Sequence, residues 1–159
     1  MFKHNCVFNF ILDDVTYVDF VRGVVGSCGA EGTPCKYLRH GVQVVNPNGK
    51  VVIVGEQKLS ATIYIKKNVS IECMFGRTNA VISNNGNIRF AFKVVSVATV
   101  TISCITFKNV SVISMYEGSS AIIKNCQRYK NLSKLNRDGE TRGSPASFRQ
   151  YCPFSSPEN

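Results

Sequence analysis

The sequence predicts an all-β domain in which short strands coil in one direction and stack in parallel, with one amphipathic helix ahead of them. Three observations predict it. From Lys50 to about residue 127, short runs alternate apolar and polar residues and no helical period survives. The phrases "KVVIVG" (50–55), "NVSIEC" (68–73) and "TVTISC" (99–104) share one pattern, which "SAIIKNC" (120–126) repeats. The four copies begin 18, 31 and 21 residues apart. Constant phase with variable spacing is what rungs of a coil produce when the corner loops differ in length.

The elements follow in order. "VTYVDFV" (15–21) is rich in β-branched and aromatic residues and reads as a first strand. A glycine-dense loop, "RGVVGSCGAEGT", comes next. Thr33 then Pro34 look like an N-cap and a first helical residue, and Leu38, Val42 and Val45 share one face, so a helix is expected over Pro34–Val45. Gly41 weakens that helix by about 1 kcal/mol relative to alanine. "NPNG" (46–49) is a turn that ends it. An amphipathic helix in this place would cap the open apolar end of the coil.

Strands are then expected at "KVVIVG", "ATIYIKKN", "NVSIEC", "NAVISN", "NIRFAFKVV", "ATVTISCITFKN" and "SAIIKNC". Matching the repeated phrases places Val51 and Ile53, Val69 and Ile71, Val100 and Ile102, and Ala121 and Ile123 inside. Ser70, Glu72, Thr101 and Ser103 face out. The competing arrangement is a sandwich of antiparallel hairpins, for which "NNGN" (84–87) is a candidate turn.

At 159 residues the chain is sized for one domain and can bury roughly two-thirds of its unfolded surface. Hydrophobic residues make up 44% and the mean hydropathy is essentially zero. No apolar run approaches ~18 residues, so no membrane-spanning helix is expected. The net charge of +9 is spread thinly, with no Lys/Arg run longer than Lys66–Lys67. It reads as a solvated basic surface rather than a specific nucleic-acid site. Residues 1–14 read as a signal-like or truncated segment, residues 15–127 as the domain, and 128–159 as a disordered tail rich in Arg, Ser, Pro and Gly.

Among seven cysteines there is no C-x-x-C, and the only histidines are His4 and His40, so no metal site or cofactor is expected. Cys28 and Cys35 flank the loop "GAEGTP" and form a candidate disulfide, which requires an oxidising compartment. Cys73, Cys104 and Cys126 recur near rung corners and read as core-packing thiols. Sequons stand at Asn68, Asn109 and Asn131 as candidate N-glycosylation sites.

The text "TYVD…CGAEGTPCKYLRHGVQVV", "GKVVIVGEQKLSATIYIKKNVSIEC", "AVIS", "VATVTISCITFKN" and "GSSAIIKNC" resembles the right-handed parallel β-helix, or pectin-lyase-like, superfamily. Within it the opening is most similar to polymorphic outer-membrane-protein and adhesin-like members, which begin with a "YVD"-type strand, a glycine loop and a capping helix. Their rungs carry V-x-I-x-G-I-x-F-x-N, and here Cys104 stands where glycine is usual. The resemblance covers roughly residues 15–127 and implies about four rungs. After Cys126 the pattern departs: Arg128 takes the aromatic place, and the chain is expected to be a fragment with a last rung left uncapped and open to self-association.

Enzymes of this fold act on uronans with clustered carboxylates and neighbouring cations. Between residues 50 and 127 the acids are Glu56, Glu72 and Glu117 alone, and no catalytic residue carries over. His40 reads as a solvent-facing or cap-packing residue. Tyr64, Lys66, Arg77, Arg89 and Lys93 are candidates for a glycan-binding face, because aromatic rings and cations suit acidic sugars. The expected function is therefore a non-enzymatic domain of an adhesin-like secreted or cell-surface protein, structural or binding glycans or surface proteins. The alternative is a fragment of a pectate-lyase-like or pectin-esterase-like enzyme.

Overall fold

In a computed structural model the described residues are 14–76, 80–129 and the strand Ser147–Tyr151. The N-terminal segment up to residue 13 and most of the expected tail lie outside them. The chain enters through strand β1 (Val15–Asp19) and helix α1 (Leu38–Val44). It then runs β2 (Lys50–Val54), β3 (Glu56–Leu59) and β4 (Ile63–Ile65), followed by β5 (Val69–Cys73), β6 (Ala80–Asn84) and β7 (Phe90–Val94). A third passage gives β8 (Thr99–Ser103), β9 (Ile105–Lys108) and β10 (Ser111–Ser114), and then come β11 (Ser120–Lys124), β12 (Gln127–Tyr129) and β13 (Ser147–Tyr151).

These strands build three sheets. The first has the order β1-β2-β5-β8-β11-β13, the second β3-β6-β9-β12 and the third β4-β7-β10. Every strand ladder among the described residues is parallel. From β2 onward the chain visits first, second and third sheet in that order, three times over. The fold is thus dominated by parallel β-structure, with one α-helix among the described residues.

The phase read from the repeats holds: Val51, Ile53, Val69, Ile71, Val100, Ile102, Ala121 and Ile123 are all buried. In register, Ile71, Ile102 and Ile123 form one column, and Val69, Val100 and Ala121 the next. The first step differs. Val51 pairs with Ile71 and Ile53 with Cys73, so β2 is slipped by two residues from the match of repeated phrases. A two-residue slip keeps every side chain on its face, because the strand period is two, so alternation alone cannot detect it. Phe92 and Phe107 fill the centre edge to face, with ring centroids 6.4 Å apart.

The helix begins at Leu38, four residues later than expected, with Tyr37 at the N-cap position. The reason lies in β1. The Cys35 N–H donates to the Tyr17 carbonyl at 2.8 Å and its carbonyl accepts from the Asp19 N–H at 2.9 Å. Thr33 to Cys35 are thereby held extended, and Pro34 serves a buried loop rather than a helix start. Leu38, Val42 and Val45 join the core with Val18, Val51 and Ile53. At the other end, Lys67 donates its Nζ to the carbonyls of Gln43 and Val45, closing the helix C-terminus.

Corners between the first and second sheets need a left-handed residue. Gly55 has φ 71°, Cys104 φ 62° and Asn125 φ 50°. Glycine and asparagine suit that region, whereas Cys104 enters it against the steric preference of its Cβ. Past the corner at Asn125, β12 lies beside β9 with Arg128 in register with Phe107. Arg128 is exposed and reaches out to Ser111 Oγ at 2.8 Å. The stretch expected to be irregular from residue 128 also contains β13, which pairs with β11 and extends the first sheet. The free edge of β11 offers unpaired backbone groups, and β13 pairs with them although it lies in the stretch read from the sequence as a disordered tail.

Candidate functional site

The outward face of the third sheet holds most of the aromatic and cationic side chains singled out from the sequence. Tyr64 lies on β4 between buried Ile63 and Ile65, and Lys93 on β7 is its register partner. Ser114 continues the row on β10. Tyr64 is 56% exposed. Neighbouring parallel strands lie about 4.8 Å apart, so Tyr64 and Lys93 stem from adjacent points of the same sheet face. Lys66, just past β4, and Arg89, just before β7, are exposed at the two ends of this strip. Arg89 lies over the Phe90 ring, its guanidinium carbon 5.2 Å from the centroid. Arg77 lies outside the described residues.

An open cleft of about 310 Å³ separates α1 from β3 and the loop after it. Its polar wall includes Arg39, His40, Gln43 and Lys58. Gln57 is buried at its back. The Gln57 Oε1 accepts the Leu38 N–H at 3.2 Å, and its Nε2 has no acceptor among the described residues. Arg39 reaches across to the Thr62 carbonyl at 3.5 Å, and Thr62 Oγ1 donates to the Phe90 carbonyl at 2.8 Å. The cleft and the third-sheet strip therefore share the segment around Thr62.

Among the described residues the carboxylates do not converge. Glu56 on β3 accepts from Ser83 Oγ at 2.8 Å. Glu72 on β5 pairs with Lys50 at 3.3 Å. Glu117 stands in the turn before β11. Among the described carboxyls, Asp19 has a shifted pKa: burial pushes it up, but hydrogen bonds from the Arg22 side chain and from the Arg22 and Val21 amides, with the Arg22 charge, bring it below the ordinary 3.8.

Two disulfides are present among the described residues. Cys28 and Cys35 are bonded, with Cα atoms 4.8 Å apart. Cys73 and Cys104 are bonded as well, with Cα atoms 5.4 Å apart, which corrects their reading as core thiols. Their 31-residue separation gave no local signal, since they meet only when β5 and β8 pair. Cys126 is half-buried against the core, with its Sγ 3.3 Å from the Lys124 carbonyl and 3.7 Å from the Ile102 carbonyl. Of the sequons, Asn68 and Asn109 are exposed, and Asn131 lies outside the described residues. The Asn68 amide is already engaged, donating to Asn48 Oδ1 at 3.0 Å and accepting the Thr99 N–H at 2.8 Å.

Comparison with protein-family models, with curated proteins and with solved structures returns no match.

Proposed function

We propose that this is a right-handed parallel β-helix of about four rungs serving as a non-enzymatic, glycan-binding module of an adhesin-like secreted or cell-surface protein. The ordered passage through three parallel sheets supports the coil, and connections between parallel strands of one sheet are right-handed in about 98% of cases. The observation that carries the binding reading is the exposed Tyr64–Lys93 pair on the third sheet, with Lys66 and Arg89 flanking it. A ring stacks on the apolar face of a sugar while the adjacent ammonium meets its carboxylate. Scattered carboxylates, each on a different element, support a binding role over bond cleavage. Two disulfides favour an oxidising compartment.

Titration with polygalacturonate oligosaccharides, followed by amide chemical shifts, tests this. The expected result is a saturable response at Tyr64, Lys66, Arg89 and Lys93 that weakens with salt, about fivefold or more weaker binding in Tyr64→Ala, and no new reducing ends. No response on this strip, or cleavage of the oligosaccharide, would overturn the reading.

A further inference from the structure

The cluster with the most chemistry outside the third-sheet strip is Cys28, Cys35 and His40. We propose that, once its disulfide is reduced, this cluster is a transition-metal site, and that disulfide and metal are alternative states of the same three residues. The two sulfurs and an imidazole nitrogen lie within 4.8 Å of one another. Cys28 Sγ and His40 Nδ1 are 3.5 Å apart. Zinc bonds of about 2.3 Å to sulfur and 2.0–2.1 Å to nitrogen, at a tetrahedral angle, put such a pair about 3.6 Å apart. That edge is already in place. Opening the disulfide lets the sulfurs separate toward the corresponding edge while the backbone stays put.

The backbone holds the three residues ready. Gly29, next to Cys28, accepts the Tyr17 N–H at 2.8 Å and donates to the Thr33 carbonyl at 2.9 Å. Cys35 is tied to β1 on both its N–H and its carbonyl. His40 sits in the first turn of α1, whose buried face is anchored in the core. Ligands on such fixed elements lose little freedom on binding a metal. Cys35 is buried, whereas Cys28 and His40 are half-exposed, so an ion has an approach from solvent.

The chemistry balances with a thiol as reductant. Two external thiols are oxidised to their disulfide, and Cys28 and Cys35 each gain a hydrogen. Binding a divalent ion then releases those two protons, and the two thiolates neutralise its charge while neutral His40 supplies a lone pair. Three protein donors leave a fourth position for water or an outside ligand. Thiolate and imidazole donors together suit zinc, cobalt(II) or copper(I) over calcium or magnesium. This site is independent of the glycan reading.

Cobalt(II) is the probe: the full chain is reduced with a phosphine without oxygen and titrated, reading thiolate-to-cobalt absorption and stoichiometry. The expected result is one tight equivalent in the reduced chain and none in the oxidised chain. Cys28→Ser and His40→Gln should each weaken it by about tenfold or more, and Cys73→Ser should leave it unchanged. His40→Gln is the decisive variant, since a half-exposed helix residue can be changed with the fold intact, as far-UV circular dichroism would verify. Absence of tight cobalt binding in the reduced chain, or equal binding by folded His40→Gln, would overturn the proposal.

Discussion

Cys104 is bonded to Cys73 while holding a left-handed corner that the first passage assigns to Gly55. The disulfide thus joins the ends of two adjacent strands of the first sheet at a place where the backbone is strained. A cross-link closing about 31 residues restricts the unfolded chain by roughly 3–4 kcal/mol, while a non-glycine residue in the left-handed region costs about 1–2 kcal/mol. Both effects are present at one residue, and the larger one stabilises.

Cys73→Ser should therefore lower the unfolding free energy by about 3 kcal/mol, read by urea titration without reductant. Cys104→Gly should lose less than Cys104→Ala by about 1 kcal/mol, because glycine relieves the corner. Equal losses in the two Cys104 variants would show that the corner carries no strain.

Gly41→Ala should destabilise by about 1–3 kcal/mol, against the gain that helix propensity alone would give. A Cβ there collides with Val18 Cγ2, a β-branched side chain with no exposed surface. Thermal unfolding of the variant distinguishes the two effects by sign.

Asp19 gives the fold an acid-side dependence. Its pKa is lower folded than unfolded, so its contribution is complete above the ordinary carboxylate value and fades as pH falls through the lower folded value. Asp19→Asn should be less stable than the parent near neutral pH, and the gap should narrow below about pH 4. Urea midpoints of both proteins along a pH series check it, and a gap independent of pH would refute it.

Phe107→Ala should cost about 3–5 kcal/mol, whereas Val97→Ala, at a 74% exposed position, should stay within about 0.5 kcal/mol. A double-mutant cycle of Phe92→Leu with Phe107→Leu should give a coupling of about 0.5–1.5 kcal/mol from the edge-to-face pair.

The sequence revealed the phase of the coil but only part of its wiring. Val69–Val100 and Ile71–Ile102 could be aligned because their phrases are nearly identical, whereas the β2–β5 register could not, since a two-residue slip preserves alternation. Glu56–Leu59 and Ser111–Ser114 were missed as strands: each is four residues long, the first with three polar residues and the second with two, and the pairing comes from the strands laid beside them. Cys104 at a glycine position was visible as a departure, yet its bond to Cys73 depends on a ladder that spacing does not reveal. The place of His40 beside Cys28 was equally hidden, because it follows from where β1 forces α1 to begin.

Parallel stacking of successive passages is open to a direct check by methyl–methyl nuclear Overhauser contacts. Contacts are expected from Ile71 to Ile102 and from Ile102 to Ile123 in isoleucine-labelled protein. Antiparallel Hα–Hα contacts between Ala80–Asn84 and Phe90–Val94, the hairpin that "NNGN" would make, with no contacts in the isoleucine column, would contradict it.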